Sequence, residues 1–177
     1  MLLYHATLDI LEDDRTLPPR RSVAFDETMA PATERLLEEH RPIGCQSRLS
    51  AYFTACTPEQ ALVVKHGMAG SQGQQLDPAI HVYEVEAEGD TRCPMILVQT
   101  ISVMLAKGAA ATQANCVAKA YWATAGQRWY FIELLSPSIR ILREVPFNRS
   151  FESVWRDVND AYKLDQSIAV SIVRACR

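Results

Sequence analysis

Several absences narrow what this chain can do. Its 177 residues hold no apolar run long enough to span a bilayer, and no basic region leads into a long apolar core with a cleavage site. Neither membrane insertion nor a removable signal is therefore expected, and any export would use a route that needs no such signal. There is no GxGxxG or GxxxxGK, which leaves a Rossmann or P-loop site without support. His66 and His81 have no ligand partners at metal spacing, so no metal is expected. The cysteines, Cys45, Cys56, Cys93, Cys116 and Cys176, are odd in number and lack CxxC spacing. That usage favours reduced thiols in a cytosol over a zinc site or a disulfide framework. Positive charge is also short: a net charge of −3 and a pI near 5.8 argue against a protein whose main work is gripping nucleic-acid phosphates.

What remains is an ordinary globular composition, 48% hydrophobic and 22% charged, read as one domain over residues 1–177 that buries about two thirds of its unfolded surface. Residues 1–7 form an apolar lead strand ending on Tyr4, His5, Ala6 and Thr7. Pro18-Pro19 makes 8–21 a loop, and 32–40 is a short helix stopped by Pro42. Residues 44–55 read as a strand, followed by a helix that Thr57 caps, Pro58 opens and Gln60 supports by reaching back. After a polar loop at 69–78, residues 80–88 alternate at period two, a half-buried strand with Glu84 and Glu86 on its wet face. Residues 94–107 read as a buried helix opened by Pro94, with a strand in the first half as the alternative, and 112–124 as a second helix ended by Gly126. Two short strands follow at 128–135 and 139–145, with Ser136-Pro137-Ser138 as the turn between them. The tail, about 148–177, has the apolar spacing of an amphipathic helix, with a break expected near Asp165.

The residues that carry chemistry come in three pieces. Tyr4-His5-Ala6-Thr7 resembles the Tyr-His-Gly-Thr strand of ADP-ribosyltransferases of the diphtheria-toxin and poly-ADP-ribose-polymerase type, with Ala6 where glycine is usual. Ser50-Ala51-Tyr52-Phe53-Thr54 resembles the second strand of that family, whose aromatic residue packs on the nicotinamide ring. Glu133, in Trp129-Tyr130-Phe131-Ile132-Glu133-Leu134-Leu135, resembles its catalytic glutamate.

The resemblance implies an α+β fold in which two packed, mainly antiparallel sheets form an NAD cleft flanked by helices. NAD would be a substrate, with no metal. His5 would orient the nicotinamide-side ribose, and Ala6 and Thr7 would join the NAD contacts. Tyr52 would stack on the nicotinamide, with Phe53 as the second choice, because alternation lets only one of the two face a pocket. Ser47 and Ser50 would add polar contacts. Glu133 would stabilise the oxocarbenium-like charge that develops as nicotinamide leaves; a carboxylate in so aromatic a strand otherwise needs a partner. Arginine-specific relatives carry a second Glu where Phe131 stands and an Arg where His5 stands, which implies a different acceptor. The implied activity is transfer of ADP-ribose to a macromolecule, a protein first and nucleic acid second, as a bacterial or phage effector or toxin working in a cytoplasm. Alternatives are an NAD glycohydrolase, a non-catalytic protein-binding module on the same scaffold, and a hydrolase built on Cys56 or His5. An RNA 2′-phosphotransferase would have to draw its basic residues from Arg20, Arg21, Arg41 and Arg48.

Overall fold

The computed structural model describes residues 2–68, 80–89, 91–124, 128–147 and 149–176. The expected loop at 69–78 and Gly126 lie outside them. The chain builds an α+β architecture of two antiparallel sheets. The first contains β1 (Leu3–Thr7), β2 (Thr16–Leu17), β4 (His81–Glu88) and β7 (Ser138–Glu144), in the order β1-β4-β7-β2. The second contains β3 (Tyr52–Thr54), β5 (Thr91–Pro94) and β6 (Ile132–Ser136), in the order β3-β6-β5. An antiparallel bridge, Tyr4 with Ala55, joins β1 to the end of β3, with backbone hydrogen bonds of 2.9 Å in both directions. The sheets therefore meet at a seam beside His5.

Five α-helices pack on this frame among the described residues: α1 (Pro31–Glu39), α2 (Pro58–Met68), α3 (Met95–Ala106), α4 (Ala111–Ala123) and α5 (Phe151–Ala175). Two apolar cores result. The larger gathers Leu3, Tyr83, Val85, Leu97, Ile101 and Val117 with the inner residues of α4 and β6, and the smaller sits between β1, α2 and the start of α5. None of these helices is long and apolar enough to cross a membrane.

Sequence patterning located most elements, and the departures have local causes. Residues 44–55 yield only the three residues of β3, because Ser47 caps a 3-10 turn at Arg48–Ser50 by accepting from the Leu49 amide at 3.2 Å. Thr57 does cap α2, accepting from the Gln60 amide at 3.2 Å. Gln60 does not reach back; its amide donates instead to the Tyr130 carbonyl at 2.9 Å. The Ser-Pro-Ser segment turns the chain out of one sheet and into the other, since β6 pairs with β3 and β5 whereas β7 pairs with β4 and β2. Glu84 and Glu86 take the wet face and pair with Arg143 and Arg140 at 3.0 Å.

Two expectations are corrected. Helix α5 is unbroken at Asp165, which is fully buried and accepts the Tyr130 and Phe131 amides at 3.0 and 2.7 Å. A polar residue on the inner face is thus a backbone acceptor, and the helix has no need to end there. Cys116 and Cys176 form a disulfide, so not all five cysteines are thiols. Their separation of 60 residues leaves no local spacing to read, and only the packing of α4 beside α5 brings them together.

Candidate functional site

The seam positions the first two predicted site residues. His5 is half-buried on β1, and its Nδ1 lies 2.9 Å from the Phe53 carbonyl oxygen. A carbonyl only accepts, so Nδ1 carries the hydrogen and Nε2 of the neutral ring is left as an acceptor. Burial lowers the imidazole from its ordinary 6.5 to about 4, helped by Lys65 and Arg20 and opposed by the Phe53 hydrogen bond and Asp9. His5 is therefore neutral at pH 7. The Tyr52 ring meets it edge-on, with centroids 5.8 Å apart and planes at 84°. Arg20 lies over the Tyr52 ring, 5.5 Å from its centroid, and the Tyr52 hydroxyl donates to the Pro18 carbonyl at 2.9 Å. Segment 8–21 thus straps across the aromatic face. It is fastened further by the Leu11 amide on the Tyr83 hydroxyl and by the Arg15 carbonyl on the Ile141 amide, at 2.9 and 2.8 Å.

Glu133 sits elsewhere. In an antiparallel sheet, directly opposed residues share a face and successive residues alternate. The registers Phe53 with Leu135 and Cys93 with Glu133 therefore put Phe53, Cys93 and Glu133 on one face. Tyr52 opposes Ser136 on the other. Glu133 is fully buried and takes the Arg48 guanidinium on Oε1, where the Tyr121 hydroxyl also donates at 2.6 Å. Arg48 reaches Glu34 as well, at 2.8 and 3.0 Å, and lies over the Phe53 ring, 5.0 Å from its centroid. One cation thus serves two carboxylates, and Glu133 Oε2 finds no hydrogen-bond partner among the described residues. Burial pushes the Glu133 carboxyl above its ordinary value against the pull of Arg48. Burial would lower Arg48, but the surrounding carboxylates hold it well above its ordinary value and so fully charged. Burial also pushes the neighbouring Cys93 thiol up to about 12, so it is no nucleophile.

The remaining candidates have structural partners. Ala6 is buried in the smaller core. Thr7 donates to Asp9 at 3.3 Å. Ser47 donates to Glu38 at 2.8 Å, and Ser50 accepts from Gln46 at 3.1 Å. Of the basic residues weighed for a phosphate, Arg48 is consumed by carboxylates and Arg41 is held by Glu38 and the Cys45 carbonyl at 2.9 and 2.8 Å. Arg20 is left facing the seam. Hollows of about 450 and 390 Å³ lie beside α1 and over paired residues of β4, β7 and β2, and neither is lined by His5, Tyr52 or Glu133. No group of three His, Cys, Asp or Glu side chains suited to a metal occurs among the described residues.

The structure therefore brings His5 and Tyr52 together and sets Glu133 behind them with partners that sequence reasoning missed, Arg48, Tyr121 and Glu34. The signal available for them was the aromatic surroundings of Glu133, which demanded a counter-charge without naming it. No protein-family model, no curated protein and no solved structure matches this chain, so its chemistry is read from these side chains alone.

Proposed function

We propose that the protein binds NAD at the β1–β3 seam and breaks its nicotinamide–ribose bond, passing ADP-ribose to a macromolecular acceptor. The observation that carries this reading is the His5–Tyr52 pair, a neutral imidazole with its acceptor nitrogen fixed beside an aromatic ring where two antiparallel sheets meet. An acceptor nitrogen takes the hydrogen of a ribose hydroxyl, and an aromatic face takes a planar heterocycle. Arg20, in segment 8–21, supplies positive charge for a phosphate once that segment has moved off the ring. Two antiparallel sheets with a histidine on the first strand and a glutamate on a late strand also fit the ADP-ribosyltransferase-like fold that the sequence resembles.

In this reading nicotinamide leaves as a neutral molecule with the bonding electron pair, and the acceptor nucleophile attacks the positively charged ribose carbon. Water in that place makes the enzyme an NAD glycohydrolase. Segment 8–21 must lift from Tyr52 for NAD to stack, and Glu133, on the opposite face of the sheet, meets the ribose only if β6 shifts and Glu133 exchanges part of its hold on Arg48. A protein acceptor and an effector or toxin role in a cytoplasm belong to the same proposal.

A second reading, a non-catalytic binding module, is favoured by one observation, the burial of Glu133 in its ion pair with Arg48. Incubation with adenylate-labelled NAD, with and without cell lysate, separates the two. Label on a macromolecule marks a transferase and free nicotinamide alone marks a hydrolase. Absence of both, together with a melting temperature that NAD does not raise, leaves the module. For the enzyme, saturating NAD raises the melting temperature by several degrees. Glu133→Gln then lowers NAD cleavage by about a hundredfold or more at unchanged NAD affinity, while His5→Ala mainly weakens binding.

A further inference from the structure

The approach to β6 is gripped from two sides by side chains of two different helices, and those helices are covalently joined. From α4, Tyr121 donates to Glu133 at 2.6 Å. From α5, Asp165 accepts the amides of Tyr130 and Phe131 at 3.0 and 2.7 Å. Cys116 precedes Tyr121 on α4 by little more than one helical turn, and Cys176 is the C-cap of α5. The Cys116–Cys176 disulfide thus closes a ring from one grip to the other through the covalent chain of β6 and β7. Both cysteines are partly exposed. Beyond Asp165 only Ala169 of α5 is buried; Ile172 and Val173 touch the core at its edge, so the last turns have little apolar burial to hold them apart from this bond.

We propose that Cys116–Cys176 is a redox clamp that, when oxidised, ties α4 and α5 across β6 and, when reduced, frees the end of α5 and loosens the hold of Asp165 on Tyr130 and Phe131. The co-reactant is a low-molecular-weight thiol of the glutathione type or a dithiol. Its thiolate attacks one sulfur, the S–S bond breaks and a mixed disulfide forms. A second thiolate displaces the remaining protein sulfur. Two protons then complete the Cys116 and Cys176 thiols, and the small thiol leaves as its own disulfide. The clamp acts on β6 whether or not NAD binds.

The test uses the full chain, oxidised and then treated with dithiothreitol under native conditions. Alkylation of the oxidised protein in denaturant, followed by peptide mass spectrometry, should find Cys116 joined to Cys176 and the other three cysteines alkylated. Reduction should speed hydrogen exchange by about tenfold or more at residues 170–176 and at the Tyr130 and Phe131 amides, with β1 unchanged. A Cys116→Ser/Cys176→Ser variant should exchange fast with or without reductant. An unlinked Cys116 in the oxidised protein overturns the clamp, as does unchanged exchange at Tyr130 and Phe131 after reduction. If the double variant fails to fold, exchange in the oxidised and reduced wild type decides the matter without it.

Discussion

Arg48 and Glu133 show at residue scale how a charge pair can be indispensable without being a good source of stability. Both are almost fully buried, so each pays a large desolvation penalty that the other offsets. Removing Arg48 leaves the Glu133 carboxylate with only the Tyr121 hydroxyl, whereas removing Glu133 leaves Arg48 paired with Glu34 alone. Arg48→Ala should lower the unfolding free energy by about 3–5 kcal/mol in urea titrations, and Glu133→Ala by less, since Glu34 still pairs with Arg48. Glu133→Gln keeps the shape and is the variant to use for activity. His5 makes a second residue-scale prediction. Its ring titrates near 6.5 unfolded and near 4 folded, so between those values the unfolded chain binds a proton that the folded chain does not. That contribution is complete above pH 6.5 and declines by up to about 3 kcal/mol as pH falls towards 4. The stability difference between wild type and His5→Gln should shrink over the same interval, and the imidazole resonances should stay those of the neutral, Nδ1-protonated ring until about pH 4.

Elements are held here by polar side chains aimed at backbone as much as by apolar packing. Thr57 and Ser150 accept from the first turns of α2 and α5, and Thr57→Ala or Ser150→Ala should each cost about 1 kcal/mol. Asp165 carries more. Asp165→Ala strands the buried Phe131 amide and frees the part-buried Tyr130 amide, and should cost about 1–3 kcal/mol, with the loss in hydrogen-exchange protection centred on Tyr130 and Phe131. The helix itself should keep its far-ultraviolet circular dichroism. Short β3 shows how an element decides chemistry by parity. Tyr52 faces His5 and Phe53 faces Arg48, so the two aromatics serve different faces of one three-residue strand. Patterning predicted that only one of them could face a pocket, and it could not predict that Glu133 would share the face of Phe53. That depends on the β3–β6 register, fixed by contacts between segments some eighty residues apart.

On the scale of the whole molecule, the two sheets pair through one bridge among the described residues and are tied further by the Ser-Pro-Ser crossover, while the disulfide ties α4 to α5. A bond spanning 60 residues restrains the unfolded chain by about 4 kcal/mol in the chain-entropy view. Reduction, or the Cys116→Ser/Cys176→Ser variant, should lower stability by up to that amount, with a smaller loss if the reduced, unfolded chain retains structure. The strap at 8–21 is the other molecular feature, since it covers Tyr52 with a few backbone bonds and charged residues. Tyr52→Phe removes the Pro18 bond and keeps the ring, so it should tighten NAD binding if the strap has to lift, and Tyr52→Ala should weaken it.

By itself the sequence determined what local chemistry determines: the alternation of β4, the cap of α2, the amphipathic period of α5, and a strand glutamate too apolar in its surroundings to stand alone. Each is set by neighbours within a few residues, where propensity and period act directly. Only the tertiary structure decided which charge answers Glu133, which face of β3 meets His5, that Asp165 points inward instead of ending a helix, and that two of the five cysteines are bonded. Those are long-range pairings. Many distant residues of the right charge or chemistry could have met each of these groups, and the choice among them is made by the packing of helices and sheets, which no local pattern encodes.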